Sequence, residues 1–188
     1  MNVGKTLYVT NRKQWRSWLS RNHEKEKEIW LIYYRKDSGK QRITYNDAVE
    51  EALCYGWIDS IAKPRNSESW VQRFSPRKPK SVLSPLNRER VRRLMKAGKM
   101  TRAGLEAIQQ QLKQYSSASR TFTVPKDILS ALKSDSVVWK NFQKFPASYK
   151  RIRIGWIDGA RKRPEVFKKR LNYFVAMTTK NKRFGMLQ

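Results

Sequence analysis

Between Thr44 and Phe74 the hydrophobic pattern changes period at one glycine, and that change narrows what the chain can fold into. From Thr44 to Gly56 the apolar residues recur at helical spacing, with Val49, Ala52 and Leu53 on one face. That stripe turns Glu50 and Glu51 outward. Thr44 is placed to cap the free N–H groups, and Asp47 sets a carboxylate in the positive first turn. Gly56 is placed to stop the helix. Beyond it, Trp57–Lys63 and Ser69–Phe74 read as two strands, joined through Pro64-Arg65-Asn66-Ser67 as a hairpin.

The flanks extend this pattern. Asn11 caps a short helix at 11–22 that carries Trp15, Trp18 and Leu19. The run IWLIYY at 29–34 is a buried strand, ended by Asp37-Ser38-Gly39. Ser84-Pro85 starts a helix with Val91, Leu94 and Met95 inward, up to Gly98. Thr101 starts another, with Leu105, Ile108 and Leu112. The pair superficially resembles a helix-turn-helix, but an ordinary helical hairpin packed on a sheet is the better reading. The polar run Tyr115–Thr123 is the best place for a boundary. Beyond it the stripes are helical: Ile128, Leu129 and Leu132; then Val138 and Phe142 behind a Ser134 cap; then Tyr149, Ile152 and Trp156; then Val166, Phe167, Leu171, Phe174 and Val175. The tetrapeptide GWID occurs at 56–59 and 155–158 with unrelated flanks, a coincidence rather than a repeat. The expected fold is α+β: a small antiparallel sheet flanked by helices over 1–115, a linker at 116–123, and a C-terminal helical domain over 124–188.

Charge bounds the partners. The 188 residues hold 42 Lys and Arg against 15 Asp and Glu, a net charge of +27. Such a surplus attracts polyanions: nucleic acid, anionic lipid or an acidic protein. It is concentrated, with 12 cations against two Glu in 64–103 and 12 against two acids in 149–188, while 24–51 holds seven of the 15 acids. One cysteine makes no internal disulfide, and neither a signal peptide nor an 18-residue apolar run is visible, so the expectation is a cytoplasmic protein with no membrane span. Oligomeric state is not legible.

Inventory removes much chemistry. His23 is the single histidine and Cys54 the single cysteine. They sit in different elements, so no Cys–His nucleophile pair is indicated, and a zinc site lacks ligands. Neither common nucleotide-binding glycine motif is present. No metal, cofactor or catalytic residue is expected, and the protein leans away from enzymes. What remains is the stretch Cys54–Ser81. Arg73 and Arg77 carry planar donor forks and Lys78 a mobile charge. Ser60, Ser75 and Ser81 carry hydroxyls, Trp57 and Trp70 stacking faces, and Asp59 a carboxylate able to orient an arginine. These nine residues are the expected ligand-binding set, suited to an anionic ligand or partner in a basic cleft at 57–81. The plainer reading is that Asp59 and Arg73 pair to hold the hairpin while the other cations are solvated.

The run ITYNDAVEEALCYGWIDSIAK, then WVQRFSPRKPKS, then SPLNRERVRRLMKAGKMTRAG resembles the YdeI/OmpD-associated, or bacteriocin-protection, family. The downstream part, from VPKDILSALK to RLNYFVAM, resembles that family's C-terminal OmdA-type helical domain. The resemblance covers most of residues 12–183. It departs at Val82-Leu83, where members commonly carry tryptophan. It implies a link to stress or bacteriocin tolerance, and it brings neither a defined reaction nor catalytic residues. Two functions follow as expectations. One is a protection protein that grips an anionic ligand near 57–81; the other is a non-specific nucleic-acid binder using 64–103 and 149–188.

Overall fold

The computed structural model describes residues 2–79, 81–118 and 122–185, with side chains described outside 111–118. The chain divides into two units, Met1–Val82 with Arg90–Lys113, and Leu83–Glu89 with Gln114–Gln188.

Unit 1 is built from β1 (Thr6–Leu7), α1 (Arg12–Asn22), β2 (Ile29–Tyr34), α2 (Tyr45–Cys54), β3 (Trp57–Asn66) and β4 (Ser69–Pro76). The sheet order is β1-β2-β4-β3. It is antiparallel from β2 through β4 to β3, as the pattern implies. Two residues of β1 add a parallel edge to β2, making the sheet mixed. Parallel pairing follows from connectivity, because α1 is the crossover between these strands. Asn11 accepts from the Gln14 N–H at the start of α1, and Thr44 accepts from the Asp47 N–H at the start of α2.

The β2–β4 register puts Ile29, Leu31, Tyr33, Trp70, Gln72 and Phe74 on one face. Helix α1 packs there: the Trp15 ring meets Phe74 edge-on at 5.5 Å, and its indole N–H reaches the Ala48 carbonyl at 3.0 Å. On the opposite face Trp30, Ile32 and Val71 cluster with Tyr34. Strand β3 continues past the expected bend, with Pro64 opposite Trp70. It is an edge strand, where a missing N–H is tolerated. The reversal falls instead at Ser67-Glu68, held by Asn66 Oδ1, which accepts from the Glu68 N–H at 3.1 Å and the Ser69 hydroxyl at 2.7 Å.

Helix α3 (Pro85–Lys96) starts as expected, with Ser84 Oγ accepting from the Asn87 N–H at 3.2 Å. Val91 and Leu94 are buried, but Met95 is 43% exposed and Arg90 takes the inward position. Arg90 and Leu94 stand four residues apart and share a face. Helix α4 (Arg102–Ala118) runs into the expected 116–123 linker, of which 119–121 lie outside the described residues, as does the Leu112 side chain. Its start is fixed to the end of α2: the Thr101 N–H and hydroxyl both donate to the Cys54 carbonyl, at 3.1 and 2.6 Å.

Unit 2 carries α5 (Lys126–Lys133), α6 (Ser136–Lys144), α7 (Ala147–Asp158) and α8 (Pro164–Thr179) around one core. Ile128, Leu132, Val138, Phe142, Tyr149 and Phe174 are buried there, with Phe184 packed against them. The cap of α6 is Asp135, which accepts from the N–H groups of Val137 and Val138 at 2.7 and 3.1 Å. Ser134 turns back to the Ala131 carbonyl instead. The first GWID lies at the α2–β3 junction and the second inside α7, at its C-terminal end.

Candidate functional site

The residues of Trp57–Ser81 do not share one surface, because alternate residues of a strand face opposite sides. Trp57 is 1% exposed, with its indole N–H on the His23 carbonyl and its ring against Trp18. It is part of the core. Trp70 stacks on Tyr33, ring centroids 4.4 Å apart. Asp59 accepts from the Tyr45 hydroxyl of α2. These three belong to the helix-covered face.

Ser60, Arg73 and Ser75 meet on the other face. Arg73 Nε donates to Glu28 Oε2 at 2.7 Å, and its Nη1 lies 3.3 Å from Ser60 Oγ and 3.4 Å from Ser75 Oγ. The Asp59–Arg73 pair is therefore not formed: Arg73 holds Glu28 and Asp59 holds Tyr45. Arg77 is 9% exposed, with its guanidinium on the Ser81 carbonyl at 3.0 Å and its backbone N–H on Gly56. Burial pushes its pKa down. Lys78 alone among the cations expected there stands exposed.

The Glu28 carboxyl is held below its ordinary value, first by the Trp30 indole N–H and then by Arg73. A depressed carboxyl contributes stability that is present above its unfolded pKa and lost as pH falls through the folded one. Glu28→Gln is expected to flatten the acid limb of stability between about pH 5 and 3. Urea melts at both pH values check this; an unchanged difference between parent and variant contradicts it.

The largest charge cluster was missed from sequence. Glu50 and Glu51, expected outward, are 7% and 3% exposed. Arg12 of α1 donates from Nε to Glu51 at 2.8 Å and from Nη1 to Asp47 at 2.8 Å and Glu50 at 3.1 Å. Arg16 takes the second Glu51 oxygen at 2.8 Å, and Arg93 of α3 also binds Glu50. The spacing of Arg12 and Arg16, one turn apart on α1, was the available signal.

The same division of labour runs through both units. Arg12, Arg16, Arg73, Arg93, Arg102, Arg151 and Arg161 hold carboxylates, and so do Lys5 and Lys40. A planar fork suits a fixed carboxylate better than an ammonium does. In unit 2, Asp127 meets Arg161 through two bonds of 2.9 Å, and Glu89 meets Arg151 through bonds of 2.7 and 2.8 Å. Among the described residues no carboxylate pairs with Lys140, Lys144, Lys162, Lys168 or Lys169, all exposed.

These features define an α+β protein in which arginines hold eight of the 15 acids while lysines such as Lys168 and Lys169 face solvent. Residues 7–107, more than half of the chain, match a family described as a domain of unknown function, DUF8412, and the chain belongs to it. Residues 121–181, the helices of unit 2, match the family described as bacteriocin-protection, YdeI or OmpD-associated, in agreement with the resemblance read from sequence. No curated protein and no solved structure matches the chain. Among the described residues no helix is long and apolar enough to cross a membrane.

Proposed function

We propose that this chain serves in bacteriocin or stress protection by binding a polyanion, nucleic acid foremost, through lysines that its own carboxylates leave unneutralised. The carrying observation is the partition of the cations. Arginines engage Glu28, Asp47, Glu50, Glu51, Glu89, Glu106, Asp127 and Asp158, so few carboxylates are left to compensate the exposed lysines. Residues 122–185 alone hold 16 Lys and Arg against four acids. A field of this kind favours phosphate contacts that release counterions and do not depend on sequence. The narrower reading, an anionic ligand gripped by Arg73, Ser75, Arg77, Lys78 and Ser81, has less support, since Arg73 is engaged by Glu28 and Arg77 is buried.

The experiment is a salt titration of binding to a mixed-sequence DNA duplex and to a single strand. The expected result is a dissociation constant of roughly 1–100 μM at physiological salt, with log affinity falling linearly in log salt. Lys168→Gln with Lys169→Gln is expected to reduce that slope by about one per lost phosphate contact. No binding at low salt, or affinity indifferent to salt, overturns the reading.

A further inference from the structure

Between the Leu7–Val9 segment and one face of α1, unit 1 holds a cavity of about 430 Å³. Its aromatic walls are fixed by their own neighbours. Trp18 is half-buried and stacks on Trp15, ring centroids 5.3 Å apart. Tyr8 meets Tyr34 edge-on at 5.1 Å, and its hydroxyl donates to the Gln41 carbonyl. Lys13, Ser17 and Arg21 also line the cavity, and their spacing makes them one row along α1, about 12 Å of rise from end to end. Arg21 Nε donates to the Ser17 carbonyl at 3.2 Å, which anchors the guanidinium and leaves its outer nitrogens without a partner among the described residues. Lys13 forms no ion pair or hydrogen bond there. Gln14 spends its amide oxygen on the Thr10 N–H at 2.8 Å, so its amide nitrogen is an unused donor, as is the Trp18 indole N–H. No described carboxylate lines the cavity. Arg12 and Arg16, on the neighbouring face of the same helix, are by contrast held by acids of α2.

We propose that this cavity binds a small molecule in which a flat aromatic ring is tethered to an oxyanion, either a carboxylate or a phosphate. The ring lies against Trp18 and Tyr8, and the oxyanion pairs with Arg21. Arg21 is the better partner because its planar fork is already anchored and stands one turn beyond Trp18 on the helix. Lys13 stands two turns from Arg21, so it adds to the positive field without touching the anion. Cations, unused donors and the lack of a carboxylate select for negative charge, while the paired aromatic walls select for a ring. Because those walls are fixed in the free protein, little ordering opposes binding. The requirement for ring and charge in one molecule is the specific content of the proposal.

The test is isothermal titration of the full chain at constant ionic strength. Indole-3-acetate is compared with its neutral amide and with acetate, and adenosine 5′-monophosphate with adenosine and with inorganic phosphate. The expected result is saturable binding of one aromatic anion, about tenfold tighter than both its neutral analogue and its ring-free one. The series that saturates identifies the oxyanion. Arg21→Gln is expected to weaken the preferred probe about tenfold, and Lys13→Gln only about twofold, as a screened charge does. Ser17→Phe fills the cavity from an exposed helix position. It is expected to abolish binding while keeping the parent's melting temperature, so its loss of binding is not a loss of fold. Saturation by neither aromatic anion overturns the proposal, as does equal binding of an anion and its neutral or ring-free analogue in both series, or a Ser17→Phe variant with unchanged affinity. Lys168→Gln with Lys169→Gln, in unit 2, leaves this titration unchanged, so the polyanion reading and this site fail separately.

Discussion

Gly104→Ala lowers the stability of unit 1 by about 2–3 kcal/mol, although alanine is the better helix former. In an exposed helix interior that replacement gains roughly 1 kcal/mol. Gly104 sits in the first turn of α4, where the Thr101 hydroxyl accepts from its N–H at 3.2 Å while that residue's N–H and hydroxyl grip the Cys54 carbonyl. A Cβ at 104 would overlap that carbonyl, standing 2.6 Å from its carbon and 3.0 Å from the Leu53 oxygen. Both obstacles are backbone at the end of α2, so no rotamer change relieves the clash. The helices must separate, and overpacking of this kind costs about 1–3 kcal/mol or more. On the other side of the contact Gly56, at φ +74°, leaves no room either: a Cβ there would lie 2.7 Å from that of Ala107. Urea denaturation followed by far-UV circular dichroism measures the change. A stability gain near 1 kcal/mol would show that α4 is not pinned here.

This contact marks the limit of what the sequence reveals. Local signals were legible: the Asn11 and Thr44 caps, the run Ile29–Tyr34 and the stop at Gly56 all depend on neighbours within a few residues. Two-residue β1 was not, because so short a strand carries no period. Of the expected site, Asp59 and Trp70 fall on one face of the sheet while Arg73 and Ser75 fall on the opposite face, a consequence of register that composition cannot convey. Glu50 and Glu51 read as solvent-facing because the stripe of Val49, Ala52 and Leu53 turns them outward. What reversed this is tertiary: α1 delivers Arg12 and Arg16, and α3 delivers Arg93, to acids from another part of the chain.

Arg12→Ala tests that tertiary network directly. Its guanidinium bridges three carboxylates of α2, two of them nearly inaccessible to water. Removing one partner of a buried pair costs about 3–5 kcal/mol, because the remaining charge stays buried. Here Glu51 keeps Arg16 and Glu50 keeps Arg93, so the expected loss is smaller, about 2–3 kcal/mol. That corresponds to roughly 4–12 °C in melting temperature for a chain of this size. Arg12→Lys is expected to recover little of it, since a single ammonium cannot present the planar fork that reaches three acids. Glu51→Gln in the Arg12→Ala background is expected to recover more, because the amide needs no counter-charge. The coupling between positions 12 and 51 should then exceed about 1 kcal/mol in a double-mutant cycle. If the two substitutions add without coupling, Arg12 stabilises α1 by packing alone, and the burial of Glu51 rests on Arg16.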